Sequence, residues 1–525
     1  MPPDPDRRAR GGRDHLSTAH LLADLIPRSL RGGAITMAGQ VVKVAAQVAA
    51  IVILARLLAP WDFGLFAMVA VFLTILELFK DLGLSTATVQ RPEITSRQVS
   101  TLFWLNTALG ALMACLLAAL GPALAWFYDE PVLIDVALAL TVTFLLTGLA
   151  AQHLALLRRQ MRFVSVTAVQ VGSELLALVA AVVAAYADFG IWALVAQRLV
   201  WAAAVAAGAW AFCSWRPGLP GPFAEVRALV AFGGNTTASM TIGYAASNLD
   251  KVLIGWYWGA TPLGLFERTQ KLVLLPVLNL NVPLATVALS ALSRLTGDPE
   301  RYRRAYVFAV ERLALLLAPA GGLLVAGAGP VVAAVFGEKW TDAVPILAWL
   351  GAAMFFLPVI YALSWLYMSQ DRTGEMLRAS AIGGGMTVAA VLCGLPFGPV
   401  AVAAAYTISG IAVRVPVLFW LAGRQGPVGM RDLGGLLVAP ATAEAAAAGA
   451  VWLARLWTDG EVSPVVELIA LAATAYAVGL AVYAAFPRGR SALRGLARLR
   501  LSAGTRGGAA PTAPPAGSAR SRSLP

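Results

Sequence analysis

Apolar residues run along this chain in blocks of about twenty or more, the length at which a helix crosses a bilayer, and short arginine-bearing intervals part them. The pattern predicts fourteen membrane helices, at 33–57, 63–82, 101–124, 132–156, 164–186, 190–213, 228–256, 262–290, 302–326, 342–368, 376–395, 399–422, 433–455 and 463–486. An even number of spans puts both termini on one side. Intervals on that side carry sixteen Lys and Arg, among them Arg91, Arg158, Arg162, Arg303, Arg372 and Arg431. The opposite side offers Lys339, with Arg56 and Arg455 at helix ends, against Asp129, Glu130, Asp188 and Asp459. Basic loops stay in the cytoplasm, so both termini are expected on the cytoplasmic side of a cell inner (plasma) membrane.

The chain also repeats itself. Gly64-Leu65-Phe66 returns as Gly264-Leu265-Phe266, 200 residues on, each copy in a turn between two apolar runs. The polar positions repeat at almost the same offset. Thr36, Gln40, Lys43 and Gln47 follow helical spacing on one face of the first helix, and Thr237, Thr241, Tyr244, Asn248 and Lys251 form a matching stripe on the seventh. These two stripes are expected to face each other. Duplicated six-helix units of one orientation predict lobes related by a pseudo-two-fold axis along the membrane normal, an arrangement that transporters build around a shared cavity. The expected organisation is a cytoplasmic tail 1–31, an N-lobe 32–213, a hinge-like cytoplasmic linker 214–227, a C-lobe 228–422, a terminal helix pair 423–486 and a basic, largely disordered cytoplasmic tail 487–525. A short basic surface helix is expected from Arg488 to Leu501.

Composition agrees with the pattern. A chain that is 59% hydrophobic and 13% charged, with a mean hydropathy of +0.74, is an all-α polytopic membrane protein and not a soluble domain. Its net charge of +12 sits mostly in the tails, +2 in residues 1–31 and +8 in residues 487–525. No aromatic residue interleaves the arginines of the C-terminal tail, which points away from nucleic acid and toward anionic membrane lipids, each charge near the surface contributing roughly 1 kcal/mol. Cys115, Cys213 and Cys393 lie in apolar segments, and the histidines are His15, His20 and His153, so neither a disulfide framework nor a metal site is expected. No nucleotide-binding GxxxxGK[ST] phrase occurs, no cofactor is implied, and outer loops of at most about fifteen residues leave little room for catalysis.

Candidate chemistry therefore rests on charges inside spans. A charged side chain at the bilayer centre costs about 2.5–3.5 kcal/mol on insertion scales, so it normally faces a watery cavity or a partner. Lys43 and Lys251 lead the candidate substrate-binding set, joined by Arg198, Arg268 and Lys271 and by the two polar stripes. Glu77, Glu174 and Asp250 are candidates for a coupling cation or proton. A plainer account reads the stripes as helix–helix glue, with Glu267 pairing Lys271 four residues on. Arg198 and Arg414 stand mid-helix in the sixth helix of each lobe, and Pro276, Pro283, Pro319, Pro358 and Pro416 are expected to bend their helices.

Three phrases carry a family resemblance: Ala55 to Phe66, Asn248 to Gly255 continuing through Gly264-Leu265-Phe266 to Pro276, and Phe336-Gly337-Glu338-Lys339-Trp340 to Leu347. Together they resemble the polysaccharide transporters, or lipid-linked oligosaccharide flippases, of the multidrug/oligosaccharidyl-lipid/polysaccharide exporter superfamily, over roughly residues 30 to 486. The resemblance implies alternating-access translocation of an undecaprenyl-diphosphate-linked glycan for exopolysaccharide, capsule or O-antigen synthesis. It also implies partners in the polysaccharide polymerase and export machinery. A cation-coupled multidrug exporter of the same superfamily would share the fold, and a glycan polymerase or ligase is the enzyme alternative. Adjacent glycosyltransferase genes would favour the flippase.

Overall fold

The computed structural model describes residues 25–81, 83–91, 94–222, 244, 248–457, 463–486 and 490. No strand occurs among them. The first half contains α1 (Leu25–Leu57), α2 (Pro60–Asp81), the short α3 (Leu84–Gln90), α4 (Ser96–Tyr128), α5 (Val132–Arg159), α6 (Phe163–Tyr186) and α7 (Ile191–Phe212). Helix α8 covers 248–258. It is followed by α9 (Ala260–Ser293), α10 (Pro299–Ala326), α11 (Ala328–Val335), α12 (Ala343–Gly351), α13 (Leu357–Ser369), α14 (Thr373–Gly394), α15 (Pro399–Ser409), α16 (Val415–Gly423), α17 (Met430–Arg455) and α18 (Pro464–Ala485). Twelve helical stretches among the described residues are long and apolar enough to cross a membrane. The protein is a multi-pass membrane protein.

Three of the fourteen predicted spans need comment. Most of the seventh, with its stripe positions Thr237 and Thr241, lies outside the described residues. The tenth, predicted as one helix over 342–368, is divided into α12 and α13 by a non-helical turn at 352–356. Gly351 packs tightly on α10, where a Cβ would fall 2.6 Å from the Leu324 Cβ. Pro358 opens α13 where its missing N–H costs nothing. The twelfth span is likewise not uniform, since Gly410–Arg414 winds as a π turn between α15 and α16. By contrast α9 runs unbroken through Pro276 and Pro283.

Helices α1 to α7 pack among themselves, α1 on α6, α2 on α4 and α5, and α5 on α4 and α7. In the second half α9 packs on α12 and α13, α14 on α15, and α10 on α17 and α18. Small residues set the closest of these crossings. A Cβ on Gly322 of α10 would meet the Glu444 carbonyl of α17 at 2.6 Å, so the backbones touch as small-residue membrane interfaces allow. The described part of the linker, 214–222, has no regular secondary structure and is tied to α4. Gly218 N donates to Ser100 Oγ (3.0 Å), Gly221 N to Thr101 Oγ1 (2.7 Å), and Trp104 Nε1 to the Gly218 carbonyl (2.9 Å), all on α4.

The two halves meet where α2 lies along α9. Both copies of the Gly-Leu-Phe phrase are found there, in the second turn of each helix and not in the turns before them. The contact is reciprocal. A Cβ on Gly64 would lie 1.8 Å from the Ala260 carbonyl oxygen, and one on Gly264 would lie 1.9 Å from the Pro60 carbonyl oxygen. Only glycine admits such an approach of backbone to backbone. The third phrase closes over the same end. Trp340 is fully buried, donates its Nε1–H to the Ala55 carbonyl (2.7 Å) and packs 5.4 Å from the Phe63 ring. Gly337 precedes it with φ +91°, a backbone conformation that favours glycine, and Arg56 donates to the Ala334 carbonyl.

Both Gly64→Ala and Gly264→Ala are expected to force α2 from α9, at the roughly 1–3 kcal/mol typical of overpacking. The two should lower the thermal midpoint of the purified protein by similar amounts, because each methyl meets the opposite backbone. A midpoint unchanged in either variant would contradict the reciprocal contact.

Candidate functional site

Below the α2–α9 seal the lobes part around polar space. A cavity of about 520 Å³ is bounded by α1, α6, α7, α8 and α9 and lined by Gln47, Glu174, Gln197, Lys251, Glu267, Arg268, Gln270, Lys271 and Asn279 among apolar residues. A smaller one of about 190 Å³ on the α2 side shares Lys251, Glu267, Arg268 and Lys271 and adds Tyr244 and Thr74. A third, of about 370 Å³ within the first lobe, shares Glu174 and is lined by Lys43, Glu77, Lys80, Thr147, Arg158 and Gln170. Six basic and three acidic side chains line this connected set, so its field is cationic. Two of the acids are already paired, Glu267 with Arg268 and Glu77 with Arg198, which also lies 4.6 Å over the Trp201 ring.

The basic groups are held in different ways. Lys251 donates from Nζ to Asn248 Oδ1 (2.9 Å), and Asn248 Nδ2 donates to the Tyr244 carbonyl (2.9 Å), so the seventh-span stripe is stapled along its own helix. Arg268 is buried and lies 3.9 Å over the face of Phe63, a cation–π contact. Phe63 thus stands between Trp340 of the seal and Arg268 of the cavity. Glu267 pairs with Arg268 (Nε–Oε2 3.2 Å) and not with Lys271, contrary to the expectation from spacing. Neither atom makes a hydrogen bond, because adjacent residues on a helix diverge by about 100° and cannot align donor with acceptor.

The structure brings Gln47, Lys251, Arg268, Lys271 and Glu174 to one cavity, with Tyr244 at its α2 side, and places Lys43 in the neighbouring first-lobe cavity. Among the described residues, Gln47 of the α1 stripe and Lys251 of the seventh-span stripe line one cavity, and the rest of the α1 stripe meets other neighbours. Gln40 Nε2 donates to Asn279 Oδ1 on α9 (3.1 Å), Lys43 lines the first-lobe cavity with Glu77 and Lys80, and Thr36 is exposed. The cause is the crossing of α1 on α6, which points successive turns of α1 at different neighbours. Asp250 is buried and accepts from Gln270 Nε2 (3.1 Å) and the Lys251 N–H (2.9 Å). Glu174 makes no hydrogen bond or ion pair among the described residues and lines two cavities. Spacing alone passed over Gln270, Asn279, Lys80 and Arg158, although the run Glu267-Arg268-Thr269-Gln270-Lys271 is an unusually polar stretch for a span.

The two halves of this helical membrane protein thus meet at α2 and α9, with a charged cavity beside that contact. The chain belongs to the family described as polysaccharide biosynthesis protein, whose pattern matches residues 53–345, more than half of its length. It is 29% identical over 273 residues to the teichuronic acid biosynthesis protein TuaB of Bacillus subtilis, a match covering 52% of this chain and 56% of that one. It is 28% identical over 301 residues to the succinoglycan biosynthesis transport protein ExoT of Rhizobium meliloti, covering 57% of this chain and 60% of that one. The chain thus spans less than two thirds of either relative. Its fold matches the lipid II flippase MurJ in an inward closed conformation with a TM-score of 0.68, at 12% identity, over 87% of this chain and 99% of that one.

The Glu77–Arg198 pair gives a direct test of the first-lobe geometry. Glu77→Gln and Arg198→Gln should each lower the thermal midpoint, because each strands a charge in a part-buried site, whereas the double variant should recover most of the loss. Additive losses would show that the two side chains do not interact.

Proposed function

We propose that the protein is a flippase that carries an undecaprenyl-diphosphate-linked oligosaccharide from the cytoplasmic to the outer leaflet by alternating access, for exopolysaccharide, capsule or O-antigen synthesis. The cationic cavity between the lobes is the observation that carries this reading. A diphosphate-linked glycan is polar and anionic, and its passage requires hydrated space lined by donors, while its lipid tail stays in the bilayer. Lys251, Arg268 and Lys271 supply that positive lining, and a cavity of about 520 Å³ is of the size that accommodates a small polar head. The name of ExoT, a transport protein of succinoglycan biosynthesis, supports the same substrate class.

In this reading residues 32–213 form the N-lobe, 228–422 the C-lobe, 214–227 the connection and 423–486 a peripheral pair, with both termini in the cytoplasm of an inner membrane. The Lys80 and Arg158 end of the first-lobe cavity then opens to the cytoplasm, and the Gly64–Gly264 seal closes the outer side. Lys43 receives the head group on entry, and the Lys251 cluster holds it beneath the seal. Glu174, which makes no hydrogen bond or close ion pair among the described residues and lines two cavities, is the preferred site for a coupling ion. Glu77 is already paired. The basic tail 487–525 contacts anionic lipid, and polymerase and export proteins receive the product.

Lys251→Ala and Lys43→Ala should each cut surface polysaccharide several-fold in cells that carry the protein at normal abundance, and the glutamate variants should cut it further. Normal polysaccharide with Lys251→Ala would sink the assignment of the cavity, and equal effects of Ala and Glu would argue against contact with an anion. A reporter fused after Phe486 should be active only in the cytoplasm, and outside activity would reverse the topology.

A further inference from the structure

Between the α2–α9 seal and the polar cavities lies a set of touching side chains drawn from both halves of the chain. Trp340 is held by the Ala55 carbonyl, with the rings of Phe336 and Phe63 at 5.2 and 5.4 Å from its own. Phe63, on α2, is buried, and the guanidinium of Arg268, on α9, lies 3.9 Å over its ring. The cation and the ring that holds it therefore stand on the two helices that the seal brings together.

Arg268 has few other partners. Its Nε lies 3.2 Å from Glu267 without making a hydrogen bond, its terminal nitrogens make none among the described residues, and Lys251 and Lys271 line the same two cavities, adding repulsion. The Phe63 ring supplies much of what steadies this cation in the closed arrangement. Separating α2 from α9 draws the ring off the guanidinium. An anion at Arg268 then meets a charge that is less compensated, and it gains more there than in the sealed form. A ligand shifts a conformational equilibrium by its differential affinity for the two states, and the effect is reciprocal. Anion occupancy and release of the seal therefore favour each other.

We propose that Phe63 couples the cavity to the seal: a diphosphate head group, in the reading above on which this inference rests, takes the place of the ring at Arg268 and so favours the state in which α2 has left α9 and Trp340 has left Ala55. Phe63 acts through Arg268 and is a positioning residue. Removing its ring should separate binding from opening, which loss of packing alone would not do.

The test uses the full-length protein in nanodiscs, with inorganic pyrophosphate as the anion and sodium chloride at matched ionic strength as the control. Calorimetry reads binding, and backbone hydrogen–deuterium exchange over 55–66 and 336–347 reads the seal. Pyrophosphate is expected to speed that exchange at least twofold. Phe63→Leu should speed it without anion, lose the response to pyrophosphate and bind it no more weakly, whereas Phe63→Tyr, which keeps the ring, should respond as before. Trp340→Phe loosens the seal by removing the bond to Ala55 but leaves the ring under Arg268, so its response should persist. Binding that leaves exchange unchanged or slows it, a response retained by Phe63→Leu, or one lost equally in Trp340→Phe would overturn the coupling and leave the proposed function standing. No binding of pyrophosphate at all would overturn both. Should Phe63→Leu fail to reach the membrane, Arg268→Gln removes the cation instead: pyrophosphate should still bind, more weakly, at Lys251 and Lys271, and the seal should not respond. A retained response would equally overturn the coupling.

Discussion

The structure hangs on the approach of α2 to α9 at Gly64 and Gly264. Each glycine lets the opposite carbonyl come to where a Cβ would stand, and no other residue type could be placed there without separating the helices. Membrane helices gain little from hydrophobic burial against one another, because lipid is as apolar as leucine, so close packing carries the association. Sealing the lobes with backbone contact at one end leaves the remaining length of the same helices free to diverge. The polar cavities lie in that divergence.

The seal and the cavity are coupled through one ring. Phe63 packs on Trp340 of the seal on one side and under Arg268 of the cavity on the other. A cation over an aromatic face is held by the ring's quadrupole without spending its N–H donors. Arg268 therefore keeps N–H donors beyond its contact with Glu267 while remaining fixed to the element that closes this end. Any motion that opens α2 from α9 must move this arginine.

The two halves differ in how they hold an arginine within a span. Arg198 of α7 has a carboxylate partner in Glu77, whereas Arg414 donates to Thr387 Oγ1; α7 is a regular helix while the twelfth span carries a π turn. The second half also contains the broken tenth span, where Gly351 and Pro358 interrupt a run that is apolar throughout.

Hydropathy alone determined the all-helical membrane class and nearly every span, because a bilayer requires each span to be long, apolar and internally hydrogen-bonded. The repeat was equally legible, since Gly-Leu-Phe recurs where the same packing recurs. Periodicity also named Gln47 and Lys251, and charge inside a span named Arg268 and Lys271, because few polar residues are tolerated there. Which of them meet was decided by tertiary structure. Helical spacing says which residues share a helix face and nothing about which neighbour that face meets, so the α1 stripe divides between Asn279, the Lys43 cavity and the Gln47 cavity. Pairing is likewise a matter of three-dimensional distance, and it took Glu77 for Arg198 across more than a hundred residues and left Arg414 without a carboxylate.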